Sequence, residues 1–195
     1  MCKQLEEMSL EELWELFPVV LTDHRDCWAD WYREEAALLA AILPADVRLH
    51  HIGSTAVPGI QAKPIIDILA EVPAEYDLDS LIPLLAGSQY ICMNRSSARI
   101  SFNKGYTPQG YMERVFHLHA VPAGRISEVY FRDYLREHRK AAKAYEVLKQ
   151  QLAEKYSHNR DAYTDAKTEF VNNVLSRIPF GIKVQGEQKH DIWNA

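Results

Sequence analysis

Hydrophobic residues recur at helical spacing near the start of the chain. Ser9-Leu-Glu-Glu12 has the pattern of a capping box, and Pro18 marks where a helix must stop. The apolar positions between them are Leu10, Leu13, Trp14 and Phe17. We therefore predict a helix within residues 1–18, whose aromatic stripe either packs on the core or docks a partner.

Helical spacing returns in residues 23–43, and again after residue 127. The expected core-facing residues of the first of these segments are Trp28, Trp31, Tyr32, Leu38, Leu39 and Ile42. The later segment predicts a long helix to about Tyr156, a break at 157–159 and a last helix to Ile178, all within 127–178. Beyond it, residues 179–195 form a polar tail.

Shorter apolar runs, typical of strands, fill residues 44–122. The predicted strands are 47–51, 65–72, 90–93, 99–103 and 113–121. A short helix is expected over 77–86, and a loop over Lys104–Gly110. Helices first, mixed strands in the middle and helices last predict an α+β class, in one domain spanning residues 1–195. A small mixed sheet would be covered by N-terminal helices, with a C-terminal helical hairpin beside it.

Composition narrows the possible partners. The 195 residues are 47% hydrophobic, enough for a full core, and carry a net charge of −5. An acidic chain has no bulk attraction for nucleic acid or anionic membranes, so we expect a small-molecule partner. Three scattered cysteines imply no disulfide framework, and no apolar run is long enough to span a membrane or form a signal core. We expect a cytoplasmic protein.

The segment between the first two predicted strands carries the most chemistry. Gly53 permits backbone angles closed to other residues, and Ser54 and Thr55 add hydroxyl and N–H groups that suit an anion such as phosphate. Asp67 lies inside an otherwise apolar strand. A carboxylate there needs a positive or hydrogen-bonding partner, and a divalent metal is one.

Two histidines on the last predicted strand share a face. His117 and His119 alternate around Leu118, so both imidazoles point the same way. Two histidines with one carboxylate suit a transition metal better than magnesium, which prefers oxygen. The alternative is an exposed strand with two polar side chains. His51, before the turn, either points at the same site or is structural.

The string HIGSTAVPGIQAKPIIDI at residues 51–68 resembles the GrpB family, a branch of the nucleotidyltransferase superfamily. The similarity continues through the segments 99–105, 114–119, 131–136 and 163–167, and so covers roughly residues 25–178. It implies a sheet of nucleotidyltransferase type, with Asp67 and Ser54 as catalytic residues and the histidine strand next to Asp67. The expected cofactor is a divalent metal, either Mg, Mn or a transition metal, held by Asp67, His117 and His119.

The same resemblance implies a set of phosphate-binding residues. These are Gly53, Ser54, Thr55, Lys63, Arg99, Lys104 and Arg114, with Lys167 within possible reach. Each of the charged residues could equally be a solvated surface group. Arginine offers phosphate a planar fork, whereas lysine offers a compact charge.

One position departs from the superfamily pattern. The second carboxylate expected two residues after Asp67 is replaced by Leu69. The next acidic residue on that face, Glu71, lies about 7 Å further along an extended strand than Leu69 does, too far for a simple replacement. Two-metal chemistry needs ligands that clamp both ions, so ordinary nucleotidyl transfer is in doubt.

Three functions follow as alternatives. The first is a nucleotidyltransferase-like protein that binds a nucleotide or phosphorylated small molecule and transfers a nucleotidyl or phosphoryl group with a metal. The second is a catalytically degenerate ligand-binding or accessory module. The third is a metal-dependent phosphoesterase. The chain is expected to be a monomer or a homodimer.

Overall fold

A five-stranded mixed sheet forms the centre of the computed structural model, which describes residues 4–178. The predicted tail at 179–195 lies outside the described residues. The strands are β1 (Arg48–Ile52), β2 (Ile65–Val72), β3 (Ile91–Arg95), β4 (Ile100–Thr107) and β5 (Gly110–Pro122). Their order in the sheet is β1-β2-β5-β4-β3. Only β2 and β5 pair in parallel, and the other neighbours are antiparallel. The predicted α+β class with a small mixed sheet is confirmed.

The helices surround this sheet. They are α1 (Leu10–Leu16), α2 (Cys27–Ile42), α3 (Leu81–Ala86), α4 (Ser127–Glu137), α5 (Arg139–Lys155), α6 (Arg160–Asp165) and α7 (Thr168–Leu175). Short 3-10 turns precede α1 at Leu5–Glu7, follow β1 at Ser54–Ala56 and precede α3 at Leu78–Ser80. No helix in the described part of the chain is long and apolar enough to cross a membrane.

The capping box at the start of α1 is present, because Ser9 and Glu12 each accept the other's backbone N–H. The aromatic stripe that follows it packs only in part. Phe17 is buried against the rings of Tyr106 and Tyr111, whereas Leu10 is exposed. In α2, Trp28 and Leu39 are buried as predicted. The inward placement of Leu38 is wrong, since this side chain is 60% exposed.

Three other predicted segments are wrong. The last helix, predicted to reach Ile178, is divided into α6 and α7. The segment Lys104–Gly110, predicted as a loop, belongs to a continuous hairpin of β4 and β5. A bulge next to Gly105 lets β4 continue where its backbone lies very close to that of β5. Gly105 has φ +93°, and a Cβ there would stand 2.4 Å from the Arg114 carbonyl oxygen. The long helix predicted from 127 is two helices, because the backbone leaves the helical conformation at His138.

Alternation along the strands sorts their side chains to two faces. Ile66, Ile68 and Leu118 point toward α2 and α3 and form the larger apolar core. Asp67, His117 and His119 point to the opposite face, where the C-terminal helices lie. A smaller core there includes Phe131, Leu135, Tyr145, Val171 and Val174. The candidate chemistry therefore lies between the sheet and the C-terminal helices.

Two residues predicted to clamp phosphate lie on the wrong face for that role. Lys104 points toward α2, where its Nζ lies 2.8 Å from the buried Glu35 carboxylate, which also accepts the Tyr90 hydroxyl at 3.0 Å. Arg114 pairs with Glu34 and stacks over Trp31, with its side chain 45% exposed. Even-numbered positions of β4 up to Lys104, and those of β5 from Arg114 to Ala120, lie on the face toward α2. Both residues therefore hold this helix to the sheet.

Replacing Lys104 with Met should therefore cost stability. The Glu35 carboxylate would stay buried without its charged partner, a loss of about 3–5 kcal/mol in the free energy of unfolding. Arg114→Met, the exposed control, should cost about 1 kcal/mol or less. Urea unfolding of both variants tests this. A Lys104→Met protein as stable as the wild type would contradict the structural role.

Candidate metal and phosphate site

The parallel pairing of β2 with β5 places Asp67 directly beside His117, and Leu69 beside His119. The Asp67 Oδ1 and His117 Nδ1 atoms are 3.2 Å apart. One ligand atom from each of Asp67, His117 and His119 lies within 4.8 Å of the other two. Metal–nitrogen bonds of about 2.0–2.1 Å allow two ligand atoms to be at most about 4 Å apart. The three side chains therefore need only a small inward shift to share one cation.

Further hydrogen bonds orient both histidine rings. The Nε2 of His117 is 2.7 Å from the Tyr106 hydroxyl, to which Arg160 donates at 2.9 Å. The Nδ1 of His119 is 3.0 Å from the Ser101 hydroxyl. Such outer contacts leave the other ring nitrogen facing the site, at Nδ1 of His117 and Nε2 of His119. The donor set fits a transition-metal ion.

The protonation states also suit a cation. Burial lowers the pKa of both His117 and His119, so the neutral imidazoles that ligate metals predominate at neutral pH. Burial alone would raise the pKa of Asp67. The hydrogen bond from His117 and the nearby charges of Lys63 and Lys167 outweigh it, so this pKa lies below its ordinary value and Asp67 is ionised.

The turn after β1 lies against the Asp67 carboxylate. Gly53 has φ 71°, and a Cβ at this position would stand 2.1 Å from Asp67 Oδ2. The turn's own hydrogen bonds start at the N–H groups of Ala56 and Val57. They therefore do not use the N–H groups of Ser54 and Thr55. Ser54 lines the pocket and interacts with the Tyr145 hydroxyl.

The Thr55 side chain has a structural role. Its hydroxyl donates to the Ile65 carbonyl at 3.2 Å and lies 3.1 Å from His51 Nε2. His51 is buried and stacks on Tyr32, and burial lowers its pKa to about 4. Both side chains fix the turn, so the structural alternative for His51 is the one that its contacts favour.

The position of the missing second carboxylate is filled by apolar packing. Leu69 is fully buried with Ile52, Val121 and Val129. Glu71, further along β2, accepts hydrogen bonds from Arg48 and from the Gly124 N–H. Neither residue is available to a second cation beside Asp67.

A cluster of three lysines, Lys63, Lys149 and Lys167, lines the same pocket as the metal ligands. The Nζ atoms of Lys63 and Lys167 lie 5.6 and 4.6 Å from the centre of the Tyr163 ring. Lys149 is 2% exposed, donates to the Gln61 carbonyl and lies over the Tyr145 ring. Among the described residues, no carboxylate lies within ion-pair distance of Lys63 or Lys167.

The pKa values of these lysines reflect this crowding. Burial, then repulsion from Lys167, lowers the pKa of Lys149 to about 7. Burial also lowers the pKa of Lys167 to about 8, although Asp67 opposes the shift. The pKa of Lys63 falls well below its usual range through burial and repulsion from Arg160 and Lys167. The pocket thus groups more lysine side chains than its own carboxylates can keep fully protonated.

The structure brings together some of the predicted phosphate-binding residues and adds others. Gly53, Ser54, Lys63 and Lys167 line the pocket with Asp67. Arg99 lines it as well, but its guanidinium is 2.5 Å from Glu128. Lys104 and Arg114 do not line it. Lys149, Tyr145 and Tyr163 also line the pocket and are not among the predicted residues. Lys149 gives no signal in the sequence, because a lysine on an amphipathic helix has the spacing of a surface residue.

Comparison with known proteins places the chain in a family. Residues 18–177 match the family model described as GrpB protein. The chain belongs to the GrpB family. The resemblance at residues 51–68 is thereby confirmed over most of the chain.

Several curated relatives support this assignment. A UPF0157 protein of Pseudomonas aeruginosa is 38% identical over 77% of this chain and 63% of its own length. The UPF0157 protein YqkA of Bacillus subtilis is 31% identical over 86% of this chain and 49% of its own. Both relatives thus extend well beyond the matched region. The glutamate-rich protein GrpB of Alkalihalophilus pseudofirmus is 32% identical over 82% of this chain and 95% of its own.

A solved structure agrees with the family. Conserved protein GrpB from Enterococcus faecalis superposes with a TM-score of 0.69 at 31% identity, covering 80% of this chain and 95% of that one. A fainter likeness, with a TM-score of 0.48 and 12% identity, relates 74% of this chain to 46% of the Cid1 poly(U) polymerase.

A side chain at Gly53 should disturb the site directly. In Gly53→Ala, the added Cβ would collide with the Asp67 carboxylate, and the positive φ adds strain of roughly 1–3 kcal/mol. Gly124 is a matched control, because it has φ +86° and nothing within 4 Å of an added Cβ. Gly124→Ala should show the strain alone. Thermal unfolding and Mn²⁺ titration of both variants separate strain from collision. Equal losses in the two proteins would contradict the close contact.

Proposed function

We propose that the pocket binds the phosphoryl group of a nucleotide or other phosphorylated small molecule, beside a divalent cation held by Asp67, His117 and His119. The observation that carries this proposal is the excess of lysine side chains over carboxylates in the pocket that contains the ligand set. Three buried or half-buried lysines without enough counter-charge are costly in an empty pocket. A phosphate dianion would balance them.

The cation and the lysines would act on the same group from two sides. A divalent ion at the Asp67 site supplies Lewis-acid polarisation of a phosphoryl oxygen. Lys63, Lys149 and Lys167 stabilise negative charge on the other oxygens, and they do so strongly because they lie in a buried pocket. The Ser54 hydroxyl and the turn N–H groups add hydrogen-bond donors.

A second candidate, metal-dependent phosphoester hydrolysis, is favoured by one specific observation. Leu69 and its apolar neighbours leave no ligand for a second cation beside Asp67. Nucleotidyl transfer with two magnesium ions relies on such a pair of ions. A single ion held by two imidazoles and one carboxylate is instead typical of sites that activate a bound water. The third alternative, a module that binds without turnover, uses the same pocket.

Metal binding should depend on Asp67. Asp67→Asn keeps the shape of the side chain but removes its charge, so affinity for Mn²⁺ or Zn²⁺ should fall at least about tenfold, the range seen even for outer contacts of metal ligands. Asp79→Asn, which alters a surface pair with Arg95, is the control. Calorimetric titration of untagged protein gives both affinities. Stoichiometric metal in the Asp67→Asn protein would exclude Asp67 as a ligand.

Phosphate binding should take up protons. At pH 8, Lys149 is mostly neutral and Lys167 about half-protonated in the free protein, given pKa values of about 7 and about 8. A bound dianion favours their charged forms, so protons enter from solvent and affinity falls as the pH rises further. AMP is a suitable probe, because a phosphate monoester, with a second pKa of about 6, is already a dianion at pH 8.

Calorimetry in two buffers of different ionisation enthalpy measures this uptake. Lys149→Met should reduce both the uptake and the affinity without lowering the unfolding temperature, because the lysine charge is already penalised by burial. Lys140→Met, an exposed residue on the same helix, is the control. Heats that do not vary with buffer would contradict the role of the lysines.

A further inference from the structure

The space in front of the metal ligands is small. The cavity lined by Asp67, the turn and the lysine cluster has a volume of about 90 Å³. Sites that enclose drug-sized ligands usually measure roughly 300–1,000 Å³. This cavity accommodates a phosphoryl group with an ion or a few waters, and any larger remainder of a ligand must lie outside it.

Side chains that pack on one another or pair with one another close the cavity on several sides. Leu69 and its apolar neighbours lie beyond Asp67, and the Arg99–Glu128 ion pair lies at the His119 end. The rings of Tyr145 and Tyr163 are buried and carry lysine ammonium groups near their faces, so neither is a stacking platform for a base. The lining thus offers no place for a nucleoside.

The number and grouping of the cations match one kind of phosphate. Lys63, Lys149 and Lys167 come from three parts of the chain and line one pocket. After burial, Lys167 lowers the pKa of both Lys63 and Lys149, and Lys149 also lowers that of Lys63. A terminal phosphoryl group carries a charge of about −1.5 to −2 and three strong acceptor oxygens. A phosphodiester, by contrast, has a single charge and two free oxygens. A cluster of three ammonium groups is therefore better balanced by the terminal group.

We propose that the pocket is selective for a terminal phosphoryl group, an inference that rests on the proposed function. This group enters end-on and leaves the rest of the molecule outside. The substrate class is accordingly phosphate monoesters and the ends of phosphate chains. Internal phosphates, including the α-phosphate of a nucleoside triphosphate and the phosphate of a diester, do not reach the lysine cluster.

A calorimetric panel at pH 7.5 tests this selectivity. The ligands with a terminal group are inorganic phosphate, AMP and ATP, and the matched ligands without one are cyclic AMP and NAD⁺. The terminal group is expected to raise affinity at least tenfold, so AMP should bind at least ten times more tightly than cyclic AMP. Metal is omitted from this series so that chelation by ATP does not alter the comparison.

Phosphorus NMR of ATP identifies which phosphate enters. The γ-phosphorus resonance should shift most on addition of protein, and the shift should be lost in Lys149→Met but kept in Lys140→Met. Cyclic AMP binding as tightly as AMP, or a largest shift at the α-phosphorus, would overturn the selectivity while leaving a phosphate site in place. Failure of every ligand in the panel to bind would overturn both this inference and the proposed function.

Discussion

The parallel pairing of β2 with β5 is the constraint on which the site depends. It sets Asp67 beside His117 and turns both toward the C-terminal helices, together with His119. Because side chains alternate along a strand, a shift of one residue in either strand would send these groups into the apolar core. The fully buried Ile66, Ile68 and Leu118 on the opposite face make such a shift costly. The apolar core on one face of the sheet therefore fixes the positions of the site residues on the other face.

The lysine cluster is the main conflict between stability and function in this structure. Burial of Lys149 on α5 lowers its pKa, and repulsion from Lys167 lowers it further. Both effects make the charged form of this lysine less stable. An apolar residue of similar length would satisfy the packing better. Local violations of this kind are expected at functional sites, where binding of a partner relieves them. The same electrostatic imbalance thus lowers stability and marks the pocket.

The two halves of the pocket come from different parts of the chain. The sheet and the turn at Gly53 present the metal ligands, and α5 and the segment before α7 supply Lys149 and Lys167. Arg160 at the start of α6 joins the halves, because it donates to the Tyr106 hydroxyl behind His117. A change in the position of these helices would alter the lysine cluster and the orientation of His117 together.

Local sequence patterns are enough to predict several elements of this protein. The apolar run of β2, the turn at Gly53 and the shared face of His117 and His119 follow from backbone sterics and from the two-residue period of a strand. The sequence also marks Asp67 as a candidate site residue, because a carboxylate in an apolar strand needs a charged or hydrogen-bonding partner.

Which charges lie near that carboxylate depends on the packing of the sheet and helices. The Lys104 side chain lies against α2, where it contacts Glu35. Lys149, which has the sequence context of a surface lysine, lines the pocket. Strand order and helix packing bring together residues more than 80 positions apart, as in the hydrogen bond from Lys149 to the Gln61 carbonyl. Local periodicity contains no information about such partners.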